Sequence, residues 1–202
     1  MDFSLAKGIF ESLYDSIDGY ALSLRGRKKL PFYDRGLTYG EIVPDSFFTI
    51  LKEVEPKDGE MFYDLGSGTG KAVILAALLF NFSKAVGIEI VEDLHHTAEK
   101  ILVRFNEEIR PTLPNSAKTD IVFQCSDFLT SDFFEANIVF AHSTCFHDGE
   151  LKVLTKKFEN LKEGTRIITV SKSIDSPNLR IIDTQEHPFS WGTATVYFQC
   201  RL

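Results

Sequence analysis

At 202 residues, 44% apolar and 25% charged, the chain has the composition of one soluble globular domain with a real core, and it is too short for two ordinary ones. A formal net charge of −7 excludes a domain that holds nucleic acid by broad phosphate neutralisation, because that mode needs a basic face. Cys125, Cys145 and Cys200 are too few and too scattered for a disulfide framework or a zinc set and read as buried thiols, while the longest apolar stretch, Ala72 to Phe80, falls far below the ~20 residues of a membrane span.

In chain order, the first residues lack the basic start and apolar run of a signal peptide, so a cytoplasmic or nuclear protein with no membrane association is expected. Apolar residues from Phe3 to Tyr20 recur near the helical period and predict a helix packed outside the main fold, with Gly19 and Gly26 as punctuation. The cluster Arg25, Arg27, Lys28 and Lys29 reads as a solvated helix end that complements the helix dipole, ahead of a phosphate-binding site. Pro31 to Glu41 is a loop by its Gly, Pro and Asp content, and Pro44 to Leu51 resumes a helix with proline in its first turn.

Met61 to Lys71 then combines a short apolar run, an acid and glycines at 66, 68 and 70 before a helix-forming segment: a strand, a tight turn and a helix start. A nucleotide-like ligand suits such a turn. A phosphate loop of the Walker type would need glycine at Leu65 and Ser or Thr at Ala72, and the dinucleotide pattern would need its third glycine at Lys71; neither fits. Asp64 at the strand end is placed to accept hydrogen bonds from a cationic amino-acid group. A second strand, Lys84 to Ile90, ends in Glu89, about twenty residues on, where α/β nucleotide folds put the carboxylate that accepts ribose hydroxyls. A third strand, Ile121 to Cys125, delivers Asp127 and Phe128, which suit an adenine amino group and ring face.

Between these strands lie predicted helices Lys71 to Phe80 and Val91 to Ile109, the latter carrying His95 and His96 as solvent or cap residues, and a loop at Pro111 to Asn115. A fourth strand, Ala136 to Ala141, a helix Gly149 to Leu161 capped by Asp148, and a fifth strand, Arg166 to Val170, continue the alternation. Leu179 to Asp183 and Ala194 to Gln199 have no helix between them and must pair as an antiparallel hairpin. The fold class is α/β: a Rossmann-like, seven-stranded, mostly parallel sheet with an antiparallel C-terminal hairpin and an N-terminal helical extension. One domain, 1–202, divides into an extension with a covering loop, 1–56, and a core, 57–202.

Asp64 to Gly70 resembles the first motif of class I S-adenosylmethionine methyltransferases. Together with Thr38-Tyr39-Gly40-Glu41, Ser126 to Leu129, Val139 to Phe146, and Ser190-Trp191-Gly192 with Tyr197-Phe198, it is similar to the disruptor-of-telomeric-silencing family of non-SET lysine methyltransferases, from about Leu37 to Phe198. The resemblance implies S-adenosylmethionine as cofactor. It places Thr38, Tyr39 and Glu41 over the methionine end, Asp64, Gly66, Ser67, Gly68, Gly70 and Lys71 beneath it, Glu89 on the ribose, Asp127 and Phe128 at the adenine and His142 beside the methyl group. The implied acceptor is a protein lysine, in a pocket to which Tyr39, Phe146, Trp191, Tyr197 and Phe198 lend aromatic walls, the catalytic set being His142, Tyr39, Phe146 and Tyr197. A small-molecule or RNA acceptor, or a non-catalytic cofactor-binding subunit, is the alternative. The chain departs from the family at His142 and Ser143, where the family has two asparagines; His142 is expected to face the methyl donor, titrate near pH ~6.5, and bond the acceptor or take its proton. Without the family's lysine-rich tail in these residues, contact with nucleosomes or DNA is expected to be weak. No metal set is expected, and the oligomeric state is open.

Overall fold

A computed structural model describes residues 1–30, 39–113 and 119–202. Helices α1 (Phe3–Tyr14), α2 (Gly19–Arg27) and α3 (Pro44–Glu53) precede β1 (Met61–Leu65), α4 (Lys71–Leu79), β2 (Lys84–Glu89), α5 (Glu92–Arg104), β3 (Asp120–Cys125), β4 (Ile138–Ala141), α6 (Asp148–Glu159), β5 (Arg166–Val170), β6 (Leu179–Phe189) and β7 (Gly192–Arg201). The strands form one sheet in the order β3-β2-β1-β4-β5-β7-β6. β1 to β5 run parallel, and β7 enters antiparallel between β5 and β6. The expected fold class is the observed one.

The central strands are nearly continuous apolar runs because both faces are covered. On one face α4, α1 and α3 pack with Phe47, Phe62, Phe140 and Ile74; on the other α6 brings Leu154 and Phe158 against Phe133, Val139 and Ile167. Helix α4 is apolar around its whole circumference, since it lies between the sheet and the N-terminal helices; every residue from Ala72 to Leu79 is buried.

Several boundaries differ from the sequence-based expectation, each for a local reason. The single helix expected over Phe3 to Tyr20 is two. Asp18 starts a new helix by accepting Ala21 N–H at 2.9 Å, just as Asp2 caps α1, so the chain turns between Tyr14 and Gly19. Gly26 then lets α2 lie close on α5, because a Cβ there would sit 2.4 Å from Val91 Cγ1. The helix expected to run to Ile109 widens into a five-residue π turn at Phe105–Ile109 that keeps Phe105 buried. At α6 the cap is His147 and not Asp148; Glu150 accepts the His147 N–H at 2.6 Å. The hairpin strands are roughly twice their expected length. None of the three cysteines is a buried thiol: Cys125 is exposed and the other two are half-buried. Most of the Pro31 to Glu41 loop, Thr38 included, and residues 114 and 115 of the expected Pro111 to Asn115 loop lie outside the described residues.

Candidate cofactor and acceptor cleft

The cleft opens at the C-terminal ends of β1, β2 and β4, where the sheet order reverses between β1 and β4. After Leu65 the chain needs left-handed backbone, and Gly66, Gly68 and Gly70 supply it with φ of 87°, 56° and 81°. Gly66 and Ser67 donate to the Ile88 carbonyl at 2.9 and 3.0 Å, which pins the turn to the end of β2. Close approach is the second reason for glycine: a Cβ on Gly68 would lie 2.5 Å from the Tyr39 ring, and one on Gly70 2.4 Å from Phe123.

Two buried acids face this turn. Glu89 accepts the Gly68 N–H on Oε2 and the Val91 N–H on Oε1, both at 2.8 Å. Burial pushes its pKa up, and these backbone hydrogen bonds offset part of the rise. Asp64 is only 3% exposed, and burial first, then the Glu89 charge, push its pKa up to about 8. Two adjacent acids held in this way form a site that gains from a cation.

Tyr39, Gly40 and Glu41 cross over the turn. The Tyr39 hydroxyl donates to Glu41 Oε1 at 3.0 Å and lies 3.0 Å from Thr69 Oγ1, while Glu41 Oε2 pairs with Lys71 Nζ at 2.6 Å. Lys71 also lies 5.4 Å from the centre of the Tyr14 ring, and the Tyr14 hydroxyl donates to the Thr69 carbonyl at 3.1 Å. Lys71 is therefore engaged by Glu41. The far side of the crossing is tied to the β6–β7 tip: Ser190 N–H and Oγ both donate to the Glu41 carbonyl, Glu41 N–H donates back to Ser190 Oγ, and Tyr20 Oη is 2.7 Å from the same oxygen.

At the neutral end, Phe128 and Phe146 line the cleft with ring centroids 5.1 Å apart. His142 follows β4 and lines the cleft from the other side, half-buried, edge-on to Phe189 and Trp191. Burial lowers its pKa to about 4, against the ordinary value near 6.5 expected from the sequence. Ser143 faces away; its hydroxyl donates to the Val170 and Lys172 carbonyls. Asp127 accepts Leu129 N–H at 2.8 Å, in the turn that presents Phe128. Tyr197 sits mid-strand between Thr169 and Thr184, and Phe198 is in the core; neither lines the cleft. Of the other sequence-named residues, Tyr39, Glu41, Asp64, Gly66, Ser67, Lys71, Glu89, Phe128, His142 and Phe146 line the cleft, Asp127 does not, and Thr38 lies outside the described residues. Tyr14, Tyr20, Thr69 and Phe189 were not foreseen, and Ser190 was named only as part of the Ser190-Trp191-Gly192 resemblance. Thr69, inside the glycine motif, and Ser190, inside that segment, carried a local signal.

The sequence profile described as "Histone methylation protein DOT1" matches residues 23–192. The chain belongs to this family. Among DOT1-family relatives, it is 30% identical over 141 residues to a protein of Caenorhabditis elegans named "Histone-lysine N-methyltransferase, H3 lysine-79 specific", covering 67% of this chain and 15% of that one. It is 29% identical over 163 residues to a protein of the same name from Aspergillus fumigatus, covering 77% and 32%. The chain thus spans a third or less of the length of these relatives. Solved structures show the fold: TrmN from Thermus thermophilus (TM-score 0.60, 15% identity, 77% of this chain and 48% of that one) and magnesium protoporphyrin IX methyltransferase from Synechocystis with bound SAM (0.57, 13%, 100% and 98%). The DOT1 match takes in the crossing, the glycine turn, both acids, His142 and Trp191; Tyr14 and Tyr20 precede it.

Proposed function

We propose that this chain is an S-adenosylmethionine-dependent methyltransferase whose acceptor is a protein lysine, working in the nucleus or cytoplasm. The observation that carries the reading is one cleft with two chemical ends: buried, cation-seeking carboxyls at the glycine turn, and a neutral aromatic pocket at His142 and Phe146. The names of the curated DOT1-family relatives support lysine as the acceptor class.

The donor set fits the cofactor. Asp64 would accept from its ammonium. Glu89 already accepts backbone N–H groups on both oxygens and would use its remaining acceptor capacity for ribose hydroxyls. Phe128 would take the adenine face, with Asp127 beside it. When bound, the cofactor supplies a methyl group on a positively charged sulfur. Tyr39 and Phe146 would present π faces to that charge, and the crossing at Gly40 would exclude water. A lysine amine entering a narrow apolar channel is desolvated, which favours loss of its proton, so no strong base is needed; alignment supplies the rest. Residues 1–56 act in this reading as an extension that clamps the core, 57–202.

The test is transfer of labelled methyl from the donor into a cell lysate separated into protein, RNA and small-molecule fractions. Label in protein, recovered as methyl-lysine after hydrolysis, is expected; label confined to RNA or small molecules would replace the acceptor, and none anywhere would favour a binding subunit.

A further inference from the structure

His142 stands where it could act as a base, yet its ring is already committed. The Trp191 indole N–H donates to His142 Nε2 at 3.3 Å, with the two rings 5.6 Å apart and 81° between their planes. Nε2 is then an acceptor, and in the neutral ring the proton sits on the other nitrogen, Nδ1. Trp191 is held in turn. It stacks on Phe189 at 5.6 Å and 17°, Phe189 meets His142 edge-on at 5.2 Å, and Ser190 between them is anchored to Glu41. Gly40 seals the pair: a Cβ there would fall 2.7 Å from Trp191 Nε1 and 3.2 Å from His142 Cε1.

We propose that Trp191 is a positioning residue that occupies the His142 lone pair, so that the imidazole meets the methyl acceptor as a neutral wall and does not serve as its base. This rests on the methyltransferase reading only for the word acceptor; the pairing itself is independent of it. The titratable and charged groups that share the cleft with His142 are Tyr39, Glu41 with its partner Lys71, Asp64 and Glu89. With Nε2 occupied, protonation there requires breaking the indole bond, and Trp191→Phe, which keeps the stack on Phe189 and removes only the N–H, is the variant that frees it.

The experiment is nitrogen NMR of the full chain with labelled histidine at about pH 7.5, the His142 signal being assigned by its loss in His142→Asn. The wild type is expected to show the Nδ1–H tautomer. Trp191→Phe should shift it toward Nε2–H and raise its titration midpoint by about one unit or more toward the ordinary range. An Nε2–H tautomer in the wild type, or a tautomer and midpoint unmoved by Trp191→Phe, overturns the proposal. A second readout is the pH profile of methyl transfer: Trp191→Phe should gain an acid limb that Trp191→Phe with His142→Asn lacks, and a limb already present in the wild type and lost in His142→Asn alone would make His142 the base. If the tautomer is as expected but no methyl is transferred to any acceptor, the pairing stands and the functional reading falls.

Discussion

Asp64 decides the electrostatics of the cleft. Its folded pKa, about 8, lies above the ordinary 3.8, so the folded chain keeps a proton that the unfolded chain gives up. Its contribution to stability is therefore full below about pH 4 and is lost as the pH rises through about 8. We expect the melting temperature of the free protein to fall between about pH 6 and 8, and Asp64→Asn to remove much of that slope; His142, with its lowered pKa, acts oppositely and loses stability on the acid side, so the difference between the two proteins is the quantity to read. A cation at Asp64 should expel its proton, so calorimetry of S-adenosylmethionine binding near pH 7 in buffers of different ionisation heat should show release approaching one proton, and none in Asp64→Asn. Glu89→Ala should weaken cofactor binding at least about tenfold, a charged hydrogen bond being worth about 1.5–3 kcal/mol. It also strips partners from the buried Gly68 and Val91 N–H groups, so Glu89→Gln, which keeps one acceptor, should melt higher than Glu89→Ala. These two acids were legible in the sequence because each ends a strand beside a turn. Tyr14 and Tyr20 were not: Tyr20 reaches Ser190 across 170 positions, and no local pattern encodes such a pairing.

The element that closes the cleft is the crossing at Tyr39–Glu41, and the β6–β7 tip holds it. Ser190 Oγ serves Tyr20, Glu41 N–H and the Glu41 carbonyl together, at 2.7, 3.1 and 3.0 Å. Ser190→Ala should cost about 1 kcal/mol at this partly exposed site and open the crossing roughly fivefold more often. Hydrogen exchange should speed up at residues 39–42 and leave β1 to β5 unchanged; exchange that accelerates across the whole sheet would mean that the serine supports the fold and not the closure. The core strands were easy to read because burial on both faces makes them apolar runs. The hairpin was read too short for the converse reason. β6 is an edge strand, where Thr184-Gln185-Glu186 and Pro188 are acceptable because one side meets water, and a bulge at Ile182 interrupts its alternation. The break between α1 and α2 escaped the apolar period because an aspartate cap, and not a change of hydrophobicity, makes it.

For the whole molecule, charge governs what it meets. Of the basic cluster, Arg25 and Lys29 both lie on Asp93 of α5, at 2.9 and 2.6 Å, so the cluster fastens α2 to the core and is partly neutralised. We expect the isolated chain to bind duplex DNA or nucleosomes no more tightly than the ~10⁻⁴–10⁻⁶ M of non-specific contact and to lose binding steeply with salt. Asp93→Ala, by freeing both cations, should strengthen what binding there is; tight, salt-resistant binding by the unaltered chain in a gel-shift titration would overturn this expectation. The sheet order also has a consequence in time. β7 is inserted between β5 and β6, so one side of β5 stays unpaired while the ribosome makes some thirty further residues, about two to six seconds of synthesis. The glycine turn and its two acids emerge long before, whereas Phe189 and Trp191 arrive with that last hairpin. On the proposed reading, a chain stalled in between would hold the parts for the donor, lack the wall for the acceptor, and carry a sticky open edge that exposes it to aggregation and clearance by the cell's quality control.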